Sequence, residues 1–130
     1  MRVLFVDDSD VNRLVVREML RAAGIEMAEA DSGAAGLEMI AANDYDLILM
    51  DLRMPGMDGL TAIRHLRARG DAKAALPVIV VTADAGPSIE ADCKAAGADD
   101  LVMKPVSMAL LFDAVVRLAT RSAADRAVSV

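Results

Sequence analysis

Four apolar residues, Leu47-Ile48-Leu49-Met50, follow one another without a polar break and stop on a carboxylate, Asp51. A strand open to water on one face would place a polar residue at every second position. An unbroken run belongs to a strand covered on both faces, as in a parallel sheet flanked by helices. Pro55, Gly56 and Gly59 then break the extended chain before the next helix.

The same pattern recurs. Val3-Leu4-Phe5-Val6 ends on Asp7-Asp8, Pro77 to Val81 runs into Thr82, and Leu101-Val102-Met103 ends on Lys104-Pro105. A weaker alternation from Glu26 to Ala30 predicts an edge strand. Between these runs lie helical signals. Ser9 or Asp10 can cap a first helix ending near Ala23 before Gly24. Ser32-Gly33 opens a second, carrying Leu37, Met39 and Ile40. Gly59 to about Arg69 spaces Leu60, Ile63 and Leu66 helically. Gly86-Pro87 starts a fourth, weakly apolar helix that stops at Gly97. Ser107 caps the last, which carries Leu110, Leu111, Val115 and Leu118. Five strand–helix pairs in strict alternation predict an α/β fold with a doubly wound parallel sheet. One domain over residues 1–121 is expected, with an aperiodic, frayed tail over 122–130.

Composition narrows the function. The chain of 130 residues is 55% apolar and 26% charged, with a formal charge of −6, which argues against non-specific nucleic-acid binding. A single cysteine, Cys93, excludes an internal disulfide and a cysteine-based zinc site. No apolar run approaches the length of a membrane span, so membrane insertion is not expected and the cytoplasm is the expected compartment.

In a parallel sheet the carboxyl ends of all strands share one edge, where open α/β sheets bind ligands. That edge receives Asp7 and Asp8 from the first strand, Asp51 from the third, Thr82 from the fourth and Lys104 from the fifth. Three carboxylates repel one another unless positive charge sits among them. Lys104 supplies one charge; a hard divalent cation, Mg²⁺ or Mn²⁺, would supply the rest. Asp8 and Asp51 are its expected direct ligands, with the backbone carbonyl of Arg53, and Asp7 acting through water. The chemistry this suits is phosphoryl transfer onto Asp51, a carboxylate able to attack phosphorus and form an acyl phosphate. The Thr82 hydroxyl and Lys104 would bind the phosphoryl oxygens, and closure of Thr82 would draw its loop inward.

The acidic pair Asp7-Asp8, the segment Asp51-Leu52-Arg53-Met54-Pro55-Gly56-Met57-Asp58-Gly59, Thr82-Ala83 and Lys104-Pro105, in this order and each at a strand end, resemble a response-regulator receiver domain. The resemblance covers Val3 to about Leu118. It implies a flavodoxin-like sheet of order 2-1-3-4-5 with five helices, and Mg²⁺-dependent transfer to Asp51 from a phosphohistidine on a histidine kinase or histidine phosphotransfer protein. It also implies phosphoryl binding by the Ala83 backbone and a cis Lys104-Pro105 peptide that aims the lysine. No enzymatic turnover is implied beyond the domain's own phosphotransfer and autodephosphorylation. Members often carry an aromatic three residues before the lysine, where this chain has Leu101. Arg53 and Asp84 stand at positions that tune phosphoryl lifetime in similar domains, and could pair across the pocket mouth.

Other residues carry weaker signals. Arg13, Arg17 and Arg21 make a basic stripe of the kind that is usually solvated. Val11 and Leu14 on the same helix either complete the core or form an apolar docking patch for a partner helix; Met108 and Phe112 pose the same choice. His65 reads as a solvated face residue, Cys93 as a small hydrophobe, Asp58 as a helix cap and Asp99-Asp100 as a turn. The resemblance fits both a free single-domain regulator and the receiver of a hybrid histidine kinase. The competing reading is a small haloacid-dehalogenase-like phosphohydrolase using Asp8 of Asp8-Ser9-Asp10, which leaves Asp51 without a task. A pseudo-receiver would lack one of the acidic or lysine positions, and none is missing here.

Overall fold

The computed structural model describes residues 1–83 and 86–128, with side chains as far as Leu118. In chain order the elements are β1 (Arg2–Val6), α1 (Asp10–Ala22), β2 (Glu26–Ala30), α2 (Gly33–Ala42), β3 (Leu47–Asp51), α3 (Gly59–Arg67), β4 (Val78–Thr82), α4 (Pro87–Ala96), β5 (Asp100–Met103) and α5 (Met108–Val128). The strands form one parallel sheet in the order β2-β1-β3-β4-β5, the order the resemblance implies.

Register explains why the apolar runs are unbroken. Val3 pairs with Leu47 and Leu4 with Ile48, and β3 continues into β4 with Ile48 opposite Val78. Side chains of like parity therefore stack on the same face. Val3, Phe5, Leu47, Leu49, Ile79 and Val81 meet Val16 and Leu20 of α1 and Leu111, Val115 and Leu118 of α5. Leu4, Val6, Ile48, Met50, Val78 and Val80 meet Ile40 of α2, Ile63 and Leu66 of α3, and Cys93 of α4. Helices on both sides leave no polar face, and each fully buried aliphatic side chain contributes about 1.5–3 kcal/mol relative to exposure. The expected edge strand β2 is the one most open to solvent at its outer end.

Caps set the helix entries. Ser9 Oγ accepts from the Asn12 amide, Ser32 Oγ from Ala35, Asp58 Oδ1 from Thr61 at 2.8 Å and Ser107 Oγ from Leu110. Accepting the Thr61 N–H holds the Asp58 carboxyl below its ordinary pKa. Gly97, with φ of 108°, ends α4 in a left-handed conformation. Gly59 brings α3 against the end of β3 so closely that a Cβ there would lie 2.2 Å from the Asp51 carbonyl oxygen.

Several boundaries differ from expectation. α3 ends at Arg67, and a short 3₁₀ turn follows over Ala72–Ala75. α5 continues to Val128, past Ser122 where an aperiodic tail was expected. The sequence there, Ser122-Ala123-Ala124-Asp125-Arg126-Ala127, has high helix propensity and no glycine or proline to stop it. Asp100 opens β5 instead of lying in a turn. Asp99 accepts from the Val78 amide at 2.8 Å and from Arg67 at 3.0 Å, joining the start of β4 to α3.

Candidate functional site

Asp7, immediately after β1, donates its backbone N–H to Ala30 of β2 and is fully buried. Its side chain accepts three donors: Oδ1 from the Ser9 amide at 2.9 Å, and Oδ2 from Asn12 Nδ2 at 3.4 Å and Lys104 Nζ at 3.2 Å. Asp51, the last residue of β3, is 5% exposed. Lys104 Nζ lies 3.2 Å from its Oδ1, so one ammonium bridges two carboxylates. Asp8 is exposed, yet it offers an oxygen that lies with oxygens of Asp7 and Asp51 inside a span of 4.8 Å. Residues 97 positions apart in the chain thus meet at one edge of the sheet.

Lys104 is aimed by β5 and the turn after it. Its backbone N–H donates to the Thr82 carbonyl at 2.8 Å, which continues the β4–β5 ladder, and the Lys104–Pro105 peptide is cis. Thr82 closes β4 and is buried, one position beyond the Val81 that faces Asp51. Ala83 follows it at the surface. In the loop after β3, Leu52 and Met54 are buried and Arg53 between them is exposed, so two apolar anchors hold the segment whose carbonyl was expected to face the cation. Asp84 lies outside the described residues.

The electrostatics follow from this crowding. Burial pushes the Asp51 carboxyl above its ordinary pKa, the neighbouring Asp7 pushes it further, Lys104 pulls it back, and Asp8 adds a smaller upward push. Burial works against the Lys104 ammonium, but Asp51 and Asp7 outweigh it and raise its pKa. Three carboxylates facing one lysine leave the pocket short of positive charge. An all-oxygen donor set is the chemistry that suits a hard divalent cation, so the residues present fit Mg²⁺.

Sites further out are placed as follows. Val11 is 70% exposed and Leu14 48% exposed, so neither completes the core. Beside them a crevice of about 150 Å³, lined by Val15, Val16, Pro105 and Val106, reaches Lys104. Met108 is exposed, whereas Phe112 packs against the core under α5. Leu101, which stands where the resemblance would place an aromatic, is half-buried, and a depression of about 280 Å³ opens between it, Glu90, Cys93 and Lys94. Cys93 is buried, which pushes its thiol pKa up, and His65 is exposed.

Three contributors escape a linear reading. Asn12 and Ser9 hold the Asp7 carboxylate, a role hidden behind ordinary helix-start composition. Arg13, expected to be solvated with its stripe, has a side chain only 12% exposed and donates to the Asp7 carbonyl, to Asp10 and to Glu29. Its spacing from Arg17 and Arg21 masks this, because the deciding partner, Glu29, lies on β2.

Among the described residues no helix is long and apolar enough to cross a membrane. The response regulator receiver domain model matches residues 3–116. The chain is 37% identical to the sensory/regulatory protein RpfC of Xanthomonas campestris pv. campestris, covering all of this chain and 18% of that protein. It therefore spans less than a fifth of that relative's length. It is 41% identical to the two-component response regulator ORR41 of Oryza sativa subsp. japonica, covering 82% of this chain and 84% of that one. A response regulator receiver protein from Pseudomonas putida superposes with a TM-score of 0.82 at 33% identity, covering 89% of this chain and 95% of the other. With a doubly wound sheet of order 2-1-3-4-5 and a lysine-bridged acidic pocket at its carboxyl edge, the chain belongs to the response regulator receiver domain family of two-component signalling.

Proposed function

We propose that Asp51 accepts a phosphoryl group from a phosphohistidine on a histidine kinase or histidine phosphotransfer protein, and that the charge placed there changes the protein's contacts. An Asp51 oxygen attacks phosphorus, the P–N bond breaks, and its electron pair returns to the leaving imidazole. The observation that carries the reading is the Lys104 ammonium 3.2 Å from both Asp51 and Asp7, with Asp8 at the open side. Asp8, Asp51 and the Arg53 carbonyl would hold Mg²⁺ or Mn²⁺ directly and Asp7 through water. When bound, the cation neutralises phosphoryl oxygens as charge is transferred. The division between Asp8 and Asp7 is supported by their surroundings, since Asp7 already accepts three donors and Asp8 faces solvent.

Lys104 then exchanges its Asp51 contact for a phosphoryl oxygen, and the Thr82 hydroxyl and Ala83 amide receive others. With Leu101 in place of a ring, the readout relies on movement of the loop after β4 and not on an aromatic swing. Arg53 and Asp84 tune the lifetime of the acyl phosphate by shielding it from water; an unchanged dephosphorylation rate in Arg53→Ala would remove that role. Val11 and Leu14 dock the partner that bears the histidine. The protein acts in the cytoplasm, as a single-domain regulator or as the receiver of a hybrid kinase.

The haloacid-dehalogenase-like alternative has no support from the family or its relatives, and Asp51, which it leaves idle, is the buried carboxylate at the centre of the cluster. Intact-mass measurement after incubation with a small phosphodonor and Mg²⁺ tests the proposal. Wild type gains one phosphoryl group, and neither Asp51→Ala nor wild type in EDTA gains any. Labelling that survives in Asp51→Ala would refute it.

A further inference from the structure

The exposed carboxylate of Asp8 has nothing to aim it: among the described residues no donor reaches it. Its direction is therefore set by the two peptide planes on either side. The plane after it is held through the Ser9 amide, which donates to Asp7 Oδ1 at 2.9 Å. The plane before it is held through the Asp7 carbonyl, which accepts from Arg13 Nη1 at 2.5 Å. β1 has ended at Val6 and β2 at Ala30, so that carbonyl lies past the described ladder of the two strands.

The guanidinium that takes its place is fixed in turn. Arg13 Nε donates to Glu29 Oε1 at 3.3 Å and Nη2 to Asp10, while Arg17 holds the other oxygen of Glu29. The side chain reaches three separate segments, after β1, on α1 and on β2, and a planar fork with fixed donors is the group suited to that task. Its charge is matched locally by Asp10 and Glu29, with Arg17 alongside, so its influence on the acidic pocket is chiefly geometric.

We infer that Arg13 is a positioning residue for cation binding: by clamping the Asp7–Asp8 peptide it holds the Asp8 carboxylate in the direction of Asp51. This rests on the proposed Mg²⁺ role of Asp8. Partners that orient a metal ligand typically account for 10- to 100-fold in affinity.

The test is direct titration of the purified protein with Mg²⁺ alone, by calorimetry, alongside metal-free thermal unfolding of the same samples. Arg13→Ala should weaken Mg²⁺ binding by about tenfold or more. Arg13→Lys keeps the charge and aliphatic stem but not the fork, so it should show an intermediate loss and stands in if the alanine variant does not fold. Glu29→Gln, which loosens the guanidinium without touching the pocket, should shift affinity in the same direction by less. Arg17→Ala shares Glu29 but contacts no backbone beside Asp8, and should bind Mg²⁺ as wild type does. Wild-type affinity in both Arg13 variants, or an equal loss in Arg17→Ala, overturns the inference and leaves the phosphoacceptor reading standing. A wild type that binds no Mg²⁺ overturns both.

Discussion

Replacing Gly59 by alanine places one methyl group at the most crowded backbone contact of the site. A Cβ there would lie 2.2 Å from the Asp51 carbonyl oxygen, 2.9 Å from Leu52 Cα and 3.0 Å from Asp51 C. All three neighbours are main chain, so no rotamer change relieves the clash. The first turn of α3 must withdraw by about 1 Å to restore van der Waals distance. Withdrawal stretches the 2.9 Å bond from the Gly59 amide to the Leu52 carbonyl and lifts Ala62, Ile63 and Leu66, all essentially buried, off the sheet. Overpacking of this kind costs about 1–3 kcal/mol, and the strained hydrogen bond adds about 1 kcal/mol. The helix propensity of alanine over glycine returns less than about 1 kcal/mol, leaving a net loss of about 1–3 kcal/mol. For a domain of this size that lowers Tm by roughly 4–11 °C, readable by circular dichroism in metal-free buffer. Gly70→Ala is the matched control, because no atom lies within 4 Å of its Cβ position and its φ is not left-handed. It should be neutral or slightly stabilising. A Gly59→Ala protein melting within about 0.5 kcal/mol of wild type would refute the claim that α3 rests directly on the Asp51–Leu52 backbone.

Burial, aided by Asp7, raises the Asp51 pKa above its ordinary 3.8, so between those values the folded state keeps a proton that the unfolded state has lost. Metal-free wild type should therefore lose stability against Asp51→Asn as pH rises from about 3.8 through the raised value, a trend that paired urea melts check. Lys104→Met strips Asp7 and Asp51 of their shared cation and should cost about 2–4 kcal/mol without metal, with much of it restored by added Mg²⁺ in thermal melts. Arg67→Met removes donors to the carbonyls of Gly97, Ala74 and Leu76 and to Asp99, at a cost of about 2–4 kcal/mol in urea melts, while the folded fraction accepts phosphoryl from a small donor unchanged. Leu14→Ser, at an exposed position, should leave stability within about 0.5 kcal/mol and small-donor labelling intact, yet slow transfer from a phosphohistidine partner in a stopped-time gel assay.

The strands were legible because burial on both faces writes itself into sequence as uninterrupted aliphatic runs, and the runs of β1, β3, β4 and β5 each stop on a polar residue at the carboxyl edge of the sheet. Asp7, Asp51, Thr82 and Lys104 follow from that alone once the sheet is parallel. What stayed hidden depends on partners far away in sequence. Asp99 looks like a turn carboxylate until Val78 and Arg67 arrive beside it. Arg13 looks like one tooth of a solvated stripe until Glu29 crosses from β2. The apolar character of Val11 and Leu14 is plain in the sequence, but whether they face the core or the solvent is a property of how α1 is rotated against β1, and Val16 and Leu20 take the inward positions.

The graded burial of the three carboxylates also bears on which of them can be the nucleophile. A carboxylate that attacks phosphorus needs a lone pair not already committed to a donor. Asp7 is fully buried, and its oxygens accept from Ser9, Asn12 and Lys104. Its charge is spent holding the turn and the lysine. Asp8 has free lone pairs but is solvated, which lowers its nucleophilicity and leaves its oxygens open to coordinate a hard cation directly, as proposed. Asp51 lies between these extremes: largely desolvated, raised in pKa and held, among the described residues, by Lys104 through Oδ1, which leaves Oδ2 for the proposed attack on phosphorus. On the proposed reading, the lysine that bridges Asp7 and Asp51 is already positioned for the added negative charge, and needs only to release one oxygen to take up another.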